Sequence, residues 1–316
     1  MTQTKNIVDK IKTELDKVIV GQPFVKDHLI IALLSGGHVL LEGVPGTAKT
    51  LMVKTLAMIM SSRFRRIQFT SDLMPSDVIG TNVFDAKTSS FILKKGPIFT
   101  NLVLIDEVNR APAKTQAALL EVMEERQVTI DGTRYVLDEP FIVFATQNPI
   151  EYEGTYALPE AQLDRFMFKI VIDYPQAEDE NQILRNYHNG FDMHHLESAH
   201  IQSAVTPDEI LSCRAEIKDI KVEEGVINYI TQIVRKTRDH GHILVGASPR
   251  ASVALLLASK TRAAMNGSAY VTPDDIKAVA KPIMRHRIIL QPETELEGIR
   301  ADELIDEVLY SVVVPR

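Results

Sequence analysis

Residues 38–50 read His-Val-Leu-Leu-Glu-Gly-Val-Pro-Gly-Thr-Ala-Lys-Thr, and this stretch decides the fold. A short apolar run ends at Gly43, a loop with a further glycine follows, and Lys49 and Thr50 open an apolar segment. The order strand, loop, helix is typical of a P-loop, whose backbone N–H groups point at phosphates. Lys49 would reach the β- and γ-phosphates, and the Thr50 hydroxyl would hold Mg²⁺. Ala48 stands where the general pattern has glycine, so the loop alone does not establish a nucleotide site.

The composition predicts a protein of two domains in a reducing compartment. A chain of 316 residues with 45% apolar and 24% charged residues is typical of globular proteins. The single cysteine cannot form an internal disulfide, the first 17 residues lack the apolar core of a secretory signal, and no apolar run is long enough to span a membrane. These features predict a soluble, cytoplasmic protein.

The charge balance bears on the kind of partner. With 35 basic and 42 acidic residues the net charge is −7, which argues weakly against a protein that relies on a broad positive field to bind nucleic acid. A local basic channel formed by several subunits remains compatible with that balance.

Apolar runs and helical patterns alternate along the first part of the chain. Runs of the kind found in buried strands occupy residues 39–41, 66–69, 102–105, 141–145 and 168–172, with helical patterns between several of them. This alternation favours a parallel sheet covered by helices on both faces. After residue 175 the pattern becomes helical, at residues 207–215, 223–238, 249–265 and 273–287. We therefore predict an α/β domain over residues 1–175 and a smaller α-helical domain over 176–316.

Two insertions interrupt the α/β pattern. Residues 71–97 are too long for an ordinary connection. Residues 127–137 contain two alternating runs joined by Asp131-Gly132, which is a strong signal for a β-hairpin. From the pattern alone, this hairpin could be a surface feature without a role.

Two carboxylates end the apolar run of residues 102–105. Asp106 and Glu107 would emerge at the carboxyl edge of the sheet, where α/β proteins bind ligands. Asp106 would support Mg²⁺ through its waters, and Glu107 would orient and polarise an attacking water. A solvated acidic turn is the alternative, and the P-loop upstream makes it the weaker interpretation.

The apolar run of residues 141–145 also ends in polar side chains. Asn148 lies where a neutral amide could hydrogen-bond a γ-phosphate or the attacking water. The Asn-Pro pair at 148–149 is also a common turn dipeptide, so its position after the acidic strand is what makes Asn148 informative.

Taken together, these motifs resemble the AAA+ ATPases and, within them, the MoxR family. Residues 43–50 and 102–107 resemble the Walker A and Walker B motifs, and Asn148 resembles sensor 1. Residues 158–166 are similar to the segment that bears the arginine finger, and 248–250 are similar to sensor 2 in the lid domain. The resemblance spans roughly residues 5–290, and Ala48 is a familiar residue at its position in this family.

The resemblance implies a P-loop AAA+ core followed by a helical lid, a site for ATP or ADP with Mg²⁺, and ATP hydrolysis. Lys49, Glu107, Asn148, Arg165 and Arg250 are the implied catalytic residues, and Thr50 and Asp106 the implied metal ligands. The implied nucleotide-binding residues are Val20, Gly21, Gln22, Gly43, Val44, Pro45, Gly46, Thr47, Ala48, Lys49, Thr50, Leu51, Asp106 and Arg250.

The same resemblance gives both insertions a role. Residues 71–97 would be the insert within helix 2 and 127–137 the hairpin before sensor 1, and both would face a central pore or a partner. Phe84, Phe91 and Ile92 are therefore candidate contacts, with local packing as the alternative for each. The family further implies a homo-oligomeric ring, closed as a hexamer or open, and a client or von Willebrand A domain protein whose complexes it matures, with cofactor or metal insertion as one form.

Two arginines have competing interpretations. Arg165 follows Asp164, and a local ion pair would contribute little at a surface; as a finger it would act in trans on a neighbour's γ-phosphate. Arg110 is its competitor and could instead transmit nucleotide state between subunits. Arg250 follows a Ser-Pro pair typical of a helix start, where a cation opposes the helix dipole, so an anion is the expected partner.

Other features suggest less. His188, His194, His195 and His200 crowd one polar stretch, where surface positions are more expected than a metal site. Cys213 is interpreted as structural, and the acidic and apolar residues of 293–308 as a docking helix or lid element.

Three other functions stay open on the sequence. A nucleic-acid remodeller could carry the same two insertions, a metal-chelatase motor subunit would have nearly the same motifs, and a nucleotide-gated scaffold would lack turnover. The acidic balance disfavours the first of these, and the intact motif set disfavours the last.

Overall fold

The computed structural model describes residues 2–149, 156–193 and 195–315. Its strands are β1 Val39–Gly43, β2 Phe64–Gln68, β3 Gly80–Asp85, β4 Ser90–Lys95, β5 Leu102–Asp106, β6 Gln127–Ile130, β7 Thr133–Val136, β8 Ile142–Gln147, β9 Phe168–Ile172, β10 Ile243–Val245 and β11 Ile289–Leu290. Its α-helices are α1 Gln3–Asp16, α2 Pro23–Ser35, α3 Lys49–Ile59, α4 Pro75–Ile79, α5 Ala113–Glu125, α6 Glu160–Leu163, α7 Ala177–His188, α8 Pro207–Lys218, α9 Glu224–Arg238, α10 Pro249–Met265, α11 Pro273–Met284, α12 Pro292–Leu296 and α13 Ala301–Ser311.

A five-stranded parallel sheet forms the centre of the α/β part, in the order β2-β5-β8-β1-β9. All residues of β5 are buried, as are the first five of β8, because apolar side chains from both faces are covered. The predicted sheet is confirmed, and each predicted run contributes one of its strands. Since all five strands run the same way, the carboxyl ends of β1, β5 and β8 meet at one edge.

The insertion at residues 71–97 contains a short helix and an antiparallel hairpin, β3–β4. Phe84 and Phe91 stack edge to face at 5.5 Å between ring centroids, and their side chains are 55% and 71% exposed. The two rings are exposed and pack on each other, so local packing and contact with a partner both stay open for them. Ile92 beside them is half exposed as well.

The predicted hairpin at residues 127–137 is confirmed as β6–β7. Asp131 and Gly132 both have positive φ, 48° and 79°, as a two-residue hairpin turn of this kind requires. Asn82 of β3 donates a hydrogen bond of 2.7 Å to the Asp131 carboxylate, so the two hairpins lie side by side.

The C-terminal helices pack onto the α/β part through α2 and β9. Helix α10 contacts α2, and α11 contacts β9. The buried imidazole of His286 bonds through Nε2 to the Phe166 carbonyl at 2.9 Å, and the 97%-buried Arg287 side chain pairs with Asp164 at 2.6 Å. One continuous apolar core joins these helices to α1, α2 and one face of the sheet.

The remaining predictions for this region have mixed outcomes. The helices predicted at 223–238 and 249–265 agree with α9 and α10 to within a residue. The stretch 293–308 forms two helices, of which α13 buries Leu304, Ile305 and Val308. The domain boundary at residue 175 stays a prediction and falls between β9 and α7. Helix α7 was not predicted from the sequence. In the described part of the chain, every helix is too short or too polar to cross a bilayer.

Candidate nucleotide-binding site

The loop between β1 and α3 has the backbone of a formed P-loop. Gly46 has φ 86° and Ala48 has φ 61°, both in the left-handed region, and α3 begins directly after Ala48. A left-handed conformation costs an L-residue roughly 1–2 kcal/mol, which explains why the general pattern has glycine at this position. The methyl group of Ala48 is tolerated, and the loop forms with alanine at this position. Gly43 is required for another reason: a Cβ there would lie 2.6 Å from the Ile172 carbonyl oxygen.

Lys49 lies in the first turn of α3 with its ammonium turned back over the loop. Its Nζ donates to the carbonyls of Gly43 and, at 2.9 Å, Val44. Partial burial lowers the pKa of Lys49, and the nearby carboxylates of Asp106 and Glu107 act in the opposite direction. The ammonium is therefore held at the mouth of the loop, close to the acidic pair.

The P-loop borders a cavity of about 450 Å³. Of the residues expected to bind nucleotide or act in catalysis, those lining the cavity are Val20, Gln22, Pro45, Gly46, Thr47, Ala48, Lys49, Thr50, Leu51, Asp106, Glu107 and Asn148. Gly21, Gly43 and Val44 do not line the cavity; the last two provide carbonyls for Lys49, and Gly21 lies beside the Asp179 carboxylate.

The cavity is lined by both polar and apolar side chains. Asp106, Glu107 and Asn148 lie at the strand ends, whereas Ile183, Tyr187 and Phe191, from α7 and the loop after it, belong to the apolar lining. The cavity therefore combines a phosphate-binding loop and charged groups with apolar side chains of the kind that surround a base.

The two carboxylates at the end of β5 are held by side chains of neighbouring strands. Asp106 is 7% exposed; Thr146 donates to its Oδ1 at 3.1 Å, and Arg66 Nε lies 2.5 Å from its Oδ2. Gln68 donates to Glu107 Oε2 at 2.7 Å, and Arg110 Nε lies 3.0 Å from the same oxygen. The acidic pair is therefore an organised site and not a solvated turn.

Three residues of this network were missed by sequence reasoning: Arg66, Gln68 and Thr146. The signal available was the alternation in β2, where residues 66 and 68 share one face at the carboxyl end of a strand. Its meaning depended on knowing that β2 and β5 are neighbours, which the sequence does not give.

Oxygen ligands suited to Mg²⁺ are present in the cavity lining. The Thr50 hydroxyl and the Asp106 carboxylate both line the cavity. Mg²⁺ prefers oxygen ligands and is commonly bound by one or two protein groups together with water and substrate phosphates. These two residues fit that requirement.

The two predicted arginines lie elsewhere. Arg165 Nη2 and Arg250 Nη2 pair with the two oxygens of one carboxylate, Glu124, at 3.0 and 2.7 Å. Neither arginine lines the cavity in this structure, and the roles expected of Arg165 and Arg250 stay predictions. Asp164 pairs with Arg287 and accepts a hydrogen bond from Ser248. The alternative of a local ion pair between Asp164 and Arg165 is therefore wrong.

The histidine-rich stretch has no metal site among the residues that the structure describes, where no group of three or more His, Cys, Asp or Glu converges. His195 Nδ1 bonds to Asp192 at 2.7 Å, His188 ends α7, and His200 is exposed. His194 lies outside the described residues. Cys213 is fully buried, and burial raises the pKa of its thiol, in keeping with a structural role.

Comparisons with known proteins agree with this geometry. The model of the ATPase family associated with various cellular activities (AAA) matches residues 38–168, and that of the AAA lid domain matches 235–308. A crystal structure of a protein from Cytophaga hutchinsonii, assigned as an ATPase, superposes with a TM-score of 0.91 at 46% identity, covering 99% of this chain and 96% of that one. The protein is therefore an AAA+ ATPase, an ATP hydrolase.

Two relatives show which family of AAA+ ATPases the chain belongs to. The chain is 40% identical over 312 residues to the chaperone MoxR1 of Mycobacterium tuberculosis, covering 96% of this chain and 81% of the relative. It is 43% identical over 309 residues to the uncharacterized protein YeaC of Bacillus subtilis, covering 98% and 95%. The chain belongs to the MoxR family of AAA+ ATPases.

Proposed function

We propose that this chain is a MoxR-type motor that uses ATP binding and hydrolysis to remodel or mature partner protein complexes. The observation that carries the enzymatic part is the convergence of Lys49, Thr50, Asp106, Glu107 and Asn148 on one cavity at the carboxyl edge of the sheet. These residue types at these positions are what phosphoryl transfer to water requires.

Each residue has a distinct task in this proposal. Lys49 leaves its loop carbonyls to bind the β- and γ-phosphates, while Thr50 and Asp106 hold Mg²⁺, which when bound neutralises charge on the phosphate oxygens. Glu107 orients the attacking water and polarises it, and the Asn148 amide hydrogen-bonds the γ-phosphate or that water.

The arginines complete the site of a neighbouring subunit in this proposal. Arg165 and Arg250 share Glu124 on a surface outside the cavity of their own chain. In this proposal each guanidinium reaches a phosphate on another copy, where it would stabilise the charge that develops during transfer. This supports a homo-oligomeric ring, with Arg165 as the finger and Arg250 as the second cation.

The proposed remodelling of partner proteins is supported by one relative and one surface feature. One relative is named a chaperone, and the exposed β3–β4 hairpin offers apolar surface for a partner. Cytoplasmic location, a von Willebrand A domain partner and cofactor or metal insertion into a client remain parts of the proposal. A metal-chelatase motor subunit is the second candidate, because its ATP site would be built from the same residues.

The test of the site uses two variants and a control. Lys49→Ala should weaken ATP binding about 100-fold, because a charge-assisted contact contributes up to about 3 kcal/mol. Glu107→Gln should keep that affinity and lose a factor of about 10² to 10⁴ in turnover, the usual contribution of a general base. Lys54→Ala, on the same helix but outside the cavity, should match the wild type. Normal turnover by Glu107→Gln would refute the role of Glu107.

The partner is identified with the same Glu107→Gln protein. Held with ATP, it should retain its client, which can be recovered from extract and identified by mass spectrometry, with Lys49→Ala as the nucleotide-free control. Recovery of nucleic acid, or ATPase activity stimulated by DNA and steeply sensitive to salt, would favour a nucleic-acid remodeller instead.

A further inference from the structure

Strand β2 places two polar side chains beside the acidic pair of β5. The two strands are parallel and in register, with Arg66 opposite Leu104 and Gln68 opposite Asp106. Because side chains alternate along a strand, residues 66 and 68 share one face while Arg65 lies on the other. Arg66 therefore belongs to the site by position, and it also lines the nucleotide cavity.

Both oxygens of the Asp106 carboxylate have protein partners. Oδ1 accepts from the Thr146 hydroxyl, and Oδ2 is bonded to Arg66 Nε at 2.5 Å. The Asp106 side chain is 10% exposed and that of Arg66 is 54% exposed, so the aspartate is fixed and the arginine has room to move. A cation that approaches Oδ2 must displace the guanidinium or bind through water, and at Oδ1 it shares the oxygen with the Thr146 hydroxyl.

The positive charge of Arg66 lowers the affinity of Asp106 for a cation. A guanidinium is always protonated at physiological pH. Held within hydrogen-bond distance of Asp106, it neutralises part of the charge that attracts a divalent ion and also repels the ion directly. At about 5 Å, in a partly exposed site, such an interaction corresponds to a change in affinity on the order of tenfold.

We propose that Arg66 is a positioning residue that competes with the metal for Asp106, keeps this carboxylate in the outer coordination sphere and so weakens metal affinity. The inference rests on the proposed role of Asp106 toward Mg²⁺. It predicts that a bound nucleotide, which brings its own phosphate oxygens, is needed before the metal binds firmly. The alternative is that Arg66 is a phosphate ligand with no effect on the metal.

The experiment compares Arg66→Gln with Arg65→Gln, which makes the same charge change on the opposite face of β2. Mn²⁺ is titrated into nucleotide-free protein and followed by electron paramagnetic resonance, and the titration is repeated with a non-hydrolysable ATP analogue. Affinity for a fluorescent ATP analogue is measured separately in EDTA. Arg66→Lys keeps the charge, and thermal melting of every variant checks folding.

Arg66→Gln should bind Mn²⁺ about tenfold more tightly than the wild type in both titrations, whereas Arg65→Gln and Arg66→Lys should stay within about threefold. Affinity in EDTA should change little. An unchanged Mn²⁺ midpoint in Arg66→Gln overturns the proposal, and a tenfold loss of affinity in EDTA together with that result assigns Arg66 to the phosphate. If the wild type binds no nucleotide at all, the proposed function fails, while the nucleotide-free titration still decides the role of Arg66.

Discussion

The P-loop cavity and the surface around Glu124 differ in how complete they are. At the cavity, Lys49 and the acidic pair have partners from neighbouring strands and lie close enough to act together within one chain. At the second surface, Arg165 and Arg250 converge on one exposed carboxylate and do not line the cavity. Under the proposed function, the parts that bind ATP lie at one place and the cations that would complete hydrolysis at another, so assembly would be a means of controlling turnover.

The largest expected effect tests whether the second surface acts on a neighbour. Arg165→Ala should lower turnover by a factor of about 10³, in the range found for arginine fingers, with ATP affinity nearly unchanged. Mixing it with Lys49→Ala protein should restore part of the activity, because each supplies what the other lacks. Steady-state ATPase assays of the mixtures, with mixed rings verified by native mass spectrometry, make the measurement; mixed rings without any recovered activity would place the finger elsewhere.

A second prediction concerns the residue that connects the two regions. His38 is buried and directly precedes β1. Its Nδ1 accepts a hydrogen bond from the Val143 N–H, and its Nε2 donates to the carbonyl of Met123, the residue before Glu124. Burial lowers the pKa of His38 from 6.5 to about 4. Below pH 6.5 the unfolded chain binds a proton that the folded chain refuses until about pH 4, so stability falls as the pH falls through that window and is constant above it.

This loss should reach about 3 kcal/mol near pH 4 from His38 alone. His28 and His286 act in the same direction, since burial lowers the pKa of each. Urea unfolding between pH 7.5 and 4.5 measures this loss of folding stability. His38→Asn should be less stable at pH 7 but less sensitive to acid than the wild type, and His188→Asn, on the exposed surface of α7, is the control. An equal pH dependence in His38→Asn and wild type would contradict the assignment.

The smallest expected effect sharpens the comparison at Glu124. Glu124→Gln removes the shared anion and leaves both guanidinium groups free to reach a neighbouring subunit. Because exposed ion pairs contribute about 1 kcal/mol or less, the change in ATPase rate at low protein concentration should be a fewfold increase. Glu125→Gln makes the same charge change beside it. ATPase rates measured over a range of protein concentrations decide; a decrease in rate would mean that Glu124 positions the arginines for transfer.

Local patterns were enough to predict most of the fold and much of the site. The five strands, the hairpin at Asp131-Gly132 and helices α9 and α10 follow from apolar periodicity and turn residues, which are properties of adjacent positions. Lys49, Thr50, Asp106, Glu107 and Asn148 could be found because each lies at the end of an element in a fixed order. Helix α7 was missed although its apolar residues share one face; none of its residues is buried, and Ile183 and Tyr187 line the cavity instead of a core.

What the sequence by itself determined is the chemistry: a loop for phosphates, two carboxylates, an amide and two arginines, in an order that indicates an AAA+ ATPase. Only the tertiary structure decided which of them meet. Strand order places Arg66 and Gln68 of β2 against the acids of β5, and packing of α10 brings Arg250 to Glu124 beside Arg165 instead of to the P-loop. The physical reason is that a sequence pattern reports which face of an element is buried, whereas contacts between elements far apart in the chain depend on how those faces pack together.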